Sequence, residues 1–233
     1  MQYRINRCAL QALLQRWQRD LPPGDIQDVA QRLSQWLGAM DAVRLDAAMR
    51  TLEAAPAERV ALSQRDGDLL DVRWEQGVQE LRALVVQHGA PQPAPRGRAA
   101  RLAPLPAVVV AEAPVFAAQH KRYLLTQKQL ATQTARLRDG VRQLLARSTG
   151  ALRALAALDA VMETMLAARE QAVWGAIPAF LEPRWHWHMQ AAGGLPVVGV
   201  RAFEQDVQAL LAAELELRLM PLQGLVQAAR KDI

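Results

Sequence analysis

Cysteine occurs once, at Cys8, so the chain forms no internal disulfide and no cysteine-based zinc site. Cys8 sits near Leu10 and Leu13 on a helical face, where a buried, inert thiol is expected. Aromatic residues make up only 5% of the chain. Serine is confined to Ser34, Ser63 and Ser148, none in a nucleophile-elbow context, and no Ser/His/Asp arrangement stands out. Nowhere do about 18 apolar residues run without a charge or a proline, so no membrane span is expected. The start, MQYRINRCALQALLQRW, has neither an uninterrupted apolar run nor a small-residue cleavage site. It does not read as a secretion signal, and the expected location is the cytoplasm. Strand-type Val and Ile clusters are short and confined to residues 106–110 and 195–200.

What is present is helix-forming. Apolar residues reach 51% and charged residues 22%, the balance of an ordinary folded protein, and Ala and Leu dominate. The expected fold class is all-α. Four short amphipathic helices are expected over 5–19, 25–38, 41–56 and 66–88, punctuated by Pro22-Pro23-Gly24, Gly38, Pro56 and Gly89. They make a small N-terminal helical bundle, residues 1–89. Residues 90–113 change composition abruptly to five prolines and three arginines, which reads as an extended linker.

The remainder, residues 114–233, is organised around a long antiparallel helical hairpin of coiled-coil character. Its arms run from Pro114 to Arg147 and from about Thr149 to Trp187, with a kink or break at Pro178 and Pro183. The second arm places Leu152, Leu155, Leu158, Met162, Met165, Leu166, Val173 and Ile177 at spacings of three and four, a wide apolar stripe. A loop follows at residues 191–196. A packed C-terminal helix is then expected over 202–220, with Pro221 ending it.

The net charge of +5 hides an asymmetry. Residues 96–153 hold 11 Lys and Arg against 2 Asp and Glu, whereas residues 1–95 carry −1 and 154–233 carry −3. The candidate basic surface is Lys121, Arg122, Lys128, Arg136, Arg138, Arg142 and Arg147. Such a row can meet nucleic acid, an anionic membrane surface or an acidic protein face. No helix-turn-helix, zinc-finger or RNA-binding signature accompanies it. Asp159, Glu163 and Glu170 form an acidic stripe on the second arm, expected to face the basic arm, pair with Arg136, Arg142 or Lys128 and so hold the hairpin in register. No Glu-x-x-His accompanies them, so a di-iron reading fails.

Arg184-Trp185-His186-Trp187-His188 offers two histidines but no third ligand, and is better read as an aromatic cover or contact patch than as a metal site. Gly193-Gly194-Leu195-Pro196 is glycine-rich yet lacks the Lys-Ser/Thr of a phosphate loop. No catalytic residue, metal or cofactor is expected. The candidate partner-binding residues are Trp185, Trp187, Phe203, Leu211 and Leu215, taken as apolar surface for a protein partner or a second copy.

Two blocks carry a resemblance. The first is Gln31 to Met49, with Trp36-Leu37, Asp41-Ala42, Leu45 and Ala48; the second is Ala151 to Trp185. Together they resemble an uncharacterised proteobacterial family of all-helical proteins with no assigned activity. The resemblance implies a cytoplasmic accessory of a bacterial envelope complex, with an inner-membrane assembly as partner. The expectation is a non-enzymatic helical scaffold or adaptor that makes protein–protein contacts and self-associates. The alternative is a sequence-nonspecific nucleic-acid binder using residues 96–153.

Overall fold

The computed structural model describes residues 9–20, 46–47, 49–50, 62–88, 116–148 and 150–232. Among them the chain is all-α, with no strand. The helices are α1 (Ala9–Asp20), α2 (Gln64–His88), α3 (Phe116–Leu145), α4 (Ala151–Ala176), α5 (Leu181–Ala191) and α6 (Pro196–Asp232), with a 3-10 turn, Ile177–Phe180, between α4 and α5. Expected helices 25–38 and 41–56 and the 90–113 linker lie outside the described residues, apart from 46–47 and 49–50, which are helical.

Local chemistry sets the ends. The Ser63 hydroxyl accepts the Asp66 N–H at 3.1 Å and donates to its carboxylate at 2.7 Å, so α2 begins two residues ahead of the expected Asp66. The α3–α4 turn closes through the Ser148 hydroxyl on the Leu145 carbonyl at 2.6 Å and through Gly150 at φ 75°. Pro178 sits at the start of the 3-10 turn and Pro183 in the first turn of α5, where a missing N–H costs little.

α6 differs most from expectation. Of the strand-type residues 195–200, all but Leu195 are helical, and the helix runs through Pro221 to Asp232 instead of stopping there. Proline removes one hydrogen bond, to the Leu217 carbonyl, but Leu222, Leu225, Val226 and Ala229 beyond it are all buried. Their burial outweighs the lost bond.

α2 and α3 run antiparallel, with Asp66 near Arg147 and His88 near Thr126. They approach closely where Gly77 meets Leu137 and Gly140 meets Arg73. α3 and α4 also fold back antiparallel, joined near their turn. α3 packs more extensively on α2 and α6 than on α4, so the hairpin is one part of a larger bundle. α6 touches every other helix named here, and one apolar core gathers Leu10 and Trp17 of α1 with Leu70 and Leu81 of α2, Leu130 of α3 and Leu210 of α6.

Candidate docking groove

Beyond their turn, α3 and α4 separate, and α6 forms the floor between them. The resulting groove has a volume of about 620 Å³. Leu124, Ala131 and Ala135 line one wall, Leu166, Ala167 and Trp174 the other, and Leu217, Met220 and Pro221 the base. Leu124 and Met220 are 40% and 59% exposed at its lips. The α4 stripe read from spacing is buried only at its ends, at Leu152, Val173 and Ile177. Leu155, Leu158, Met162, Met165 and Leu166 are half-buried. α4 thus carries more apolar surface than its neighbours cover.

Ion pairs close one end of the groove. Arg138 is bidentate on Asp159, at 2.8 and 2.7 Å, and reaches Glu163 at 3.4 Å; Arg142 meets Glu163 at 2.6 Å and also pairs with Asp139. Burial works against the Arg138 charge, but the carboxylates of Asp159 and Glu163 outweigh it and hold its pKa above the ordinary value. Of the arm pairings expected from Arg136, Arg142 or Lys128, the one from Arg142 is present; Arg138 supplies the other, while Arg136 and Lys128 are exposed. Arg138 and Asp159 are buried, which the picture of a solvated stripe did not anticipate.

At the other end lies a buried polar cluster. The Tyr123 hydroxyl donates to Glu214, whose side chain is 0% exposed. The Gln127 amide donates to Glu214 at 3.2 Å, to the Tyr123 oxygen at 3.0 Å and to the Trp174 carbonyl at 3.2 Å. The Arg218 guanidinium lies 3.9 Å over the Trp174 ring and 3.8 Å from Glu214. Burial raises the pKa of Glu214 and lowers that of Arg218. Sequence reading passed over Glu214, although a carboxylate three and four residues from Leu211 and Leu210 on an apolar helix face is a visible signal.

The residues expected to bind a partner lie mostly inside the fold. Trp185, Phe203, Leu211 and Leu215 are at most 5% exposed, and Trp185 packs edge-on against Phe203 at 5.1 Å. Only Trp187 is half-buried, with the Arg184 guanidinium 4.2 Å over its ring. Arg184 and His188 both reach Asp206, at 2.6 and 2.8 Å, so the Arg184–His188 segment covers a core edge. Among the described residues no group of three or more His, Cys, Asp or Glu is placed to hold a metal ion. The basic arm divides. Arg138 and Arg142 are tied to carboxylates, Arg122 donates to the Gln87 carbonyl and approaches Glu204, and Arg147 meets Asp66 at 3.3 Å. Lys121, Lys128 and Arg136 are exposed.

Among the described residues no helix is long and apolar enough to cross a membrane. No curated protein and no solved structure matches the chain. A family model described as "Protein of unknown function (DUF3348)" matches residues 2–231, nearly the whole chain, and the chain belongs to that family.

Proposed function

We propose that this chain is a non-enzymatic helical scaffold that works by protein–protein contact, with the α3/α4/α6 groove and the half-covered stripe of α4 as its docking face. The observation that carries this reading is the run of Leu155, Leu158, Met162, Met165 and Leu166, left half-buried. Grooves of this size and apolar character suit an amphipathic helix laid along them. Most charged groups around the groove are paired with one another, Arg138 with Asp159 and Glu163, Arg218 with Glu214, and these shape a wall instead of offering a reactive centre. The nucleic-acid reading loses support, because the two central arginines of the basic arm are already neutralised within the fold. The family resemblance makes the cytoplasmic face of an inner-membrane complex the first partner to try.

The test places a photo-crosslinking side chain at position 166, identifies what it captures in the native host, and measures binding of that purified protein. Leu166→Arg is expected to weaken binding at least tenfold, by the loss of a buried apolar contact, with unchanged helicity and melting. Equal affinity in the variant overturns the reading.

A further inference from the structure

α5 ends at Ala191, and Gly193 and Gly194, at φ 58° and 90°, turn the chain back into α6 where side chains are disfavoured. Residues 193–198 are exposed without a break, and Leu195, Val197 and Val198 stand 63%, 74% and 55% exposed. The tip has a fixed shape. The Val198 and Gly199 N–H groups donate to the Leu195 carbonyl at 3.0 and 3.3 Å, and a Cβ on Gly199 would meet the His188 carbonyl of α5 at 3.0 Å. Charge around the tip has one sign. Between Glu182 and Glu204 the sequence holds Arg184 and Arg201 but no carboxylate. α3 starts beside this turn, with Phe116 6.2 Å from Trp185, and has no Asp or Glu before Asp139. α2 ends against α3, His88 on Thr126, and has none after Glu80. α1, whose Trp17 lies under Arg184, adds exposed Arg16 and Arg19 against Asp20. The nearest carboxylates along α6 are occupied: Glu204 accepts from Gln119 at 3.2 Å and faces Arg122 at 3.8 Å, and Asp206 is shared by Arg184 and His188. Lys121 and Arg201 are exposed and in no ion pair among the described residues. The positive pole of the α6 dipole lies at the tip as well.

We propose that the Leu195–Val198 tip inserts into the interfacial layer of an anionic phospholipid bilayer, with the cations around it meeting the lipid phosphates. A protein partner suits this tip less well. Four apolar side chains fall well short of the ~800 Å² that each side of a stable complex buries, and they offer no side-chain polar atom to fix a register. A bilayer requires no matching shape; apolar burial and attraction to anionic headgroups suffice. Depth and charge fit together. Interfacial apolar elements sink about 5–10 Å. Arg201 lies about 6 Å behind Val197 along α6 at 1.5 Å per residue, so insertion to that depth brings its guanidinium to the headgroups. Trp187, half-buried one turn before the end of α5, sets an amphipathic ring close to the same level. The contact is small and reversible, and it docks the bundle end-on with no helix among the described residues crossing the membrane.

The experiment floats the full chain with vesicles of phosphatidylcholine alone and of phosphatidylcholine with phosphatidylglycerol, at low and at high salt. The wild type should bind the phosphatidylglycerol vesicles, at least tenfold more weakly without that lipid, and less as salt rises. Val197→Asp with Val198→Asp should lose binding at least tenfold, and Val197→Phe with Val198→Phe should tighten it. Both positions are exposed, so both variants are expected to fold, with circular dichroism as the check. Leu124→Asp with Met220→Asp, at the lips of the groove, should bind vesicles as the wild type does. A wild type that floats with neither vesicle overturns the inference, and equal binding to both overturns the choice of an anionic lipid. Binding that survives the aspartate pair overturns it in favour of adsorption through the basic residues alone, and binding lost in the groove variant moves the contact to the groove. Self-association that the aspartate pair abolishes, with no flotation, overturns it in favour of a second copy. The docking test at position 166 reads a separate surface and stands or falls by itself.

Discussion

The Tyr123 hydroxyl donates its proton to Glu214, a carboxylate with no exposed surface, and so joins the middle of α6 to α3 at the far end of the groove. Tyr123→Phe removes that donor and leaves the buried oxygen with less than it needs. It is expected to cost about 1–3 kcal/mol in urea unfolding. Glu214→Gln keeps an acceptor for Tyr123 but turns an amide NH2 toward the Gln127 and Arg218 donors and leaves the Arg218 charge without its carboxylate, so it too is expected to destabilise, by about 1–3 kcal/mol.

Arg138 and Asp159 are a buried pair and should behave as one. Arg138→Ala strands a carboxylate that is 8% exposed, at an expected cost of about 3–5 kcal/mol. Replacing both residues by leucine should recover most of that loss. A double-mutant cycle in urea checks it; additive single effects would mean the pair is not coupled.

His88 is the group most exposed to acid stress. Its Nδ1 lies 3.0 Å from the Thr126 hydroxyl, which itself donates to the Arg122 carbonyl and so leaves its oxygen to accept from Nδ1–H. Burial, assisted by the Arg122 charge, pushes its pKa from 6.5 down to about 4. The unfolded chain therefore binds the proton first. The contribution is fully present above about pH 6.5 and is lost as the pH falls toward 4, with a slope of at most ~1.4 kcal/mol per pH unit. Unfolding free energies measured between pH 7 and 4 should show this slope, and His88→Asn should flatten it.

Much of this architecture was legible in the residues. The apolar spacings of α2, α3 and α4 and the breaks at Pro178, Pro183 and Gly193-Gly194 placed most described helix ends within a few residues. Tertiary packing was not legible. Spacing shows that Leu155 to Leu166 share a face, but not that the partner helix stops short of covering them. The apolar width of α6, over more than half its circumference, points to a helix buried on two sides, against the hairpin and a second subunit, and so to Phe203, Leu211 and Leu215 as partner contacts. The neighbours on those sides are the other helices of the same chain. Pro221 misled for a local reason: a missing N–H predicts a helix end only when no core lies beyond it.

Two glycines separate backbone need from packing need. A methyl at Gly77 would come within 2.7 Å of the Leu137 side chain, which is 7% exposed and hemmed in by the core. Gly77→Ala should therefore lose about 1 kcal/mol, since overpacking outweighs the gain in helix propensity. At Gly140 the obstacle is the flexible end of Arg73, which can swing away, so Gly140→Ala should be neutral or stabilising. Thermal melts of the two single variants decide whether this contrast holds.

α6 meets every other helix of the bundle, yet it is the last of them in chain order. During synthesis at about 5–20 residues per second, α1 leaves the ribosome on the order of 10–40 s before the segment it packs against. Through that interval the greasy sides of five helices have no common surface to settle on. A truncated or stalled product is thus a sticky intermediate, and holding chaperones or a waiting subunit would have their strongest grip on it before the 37 residues of α6 appear.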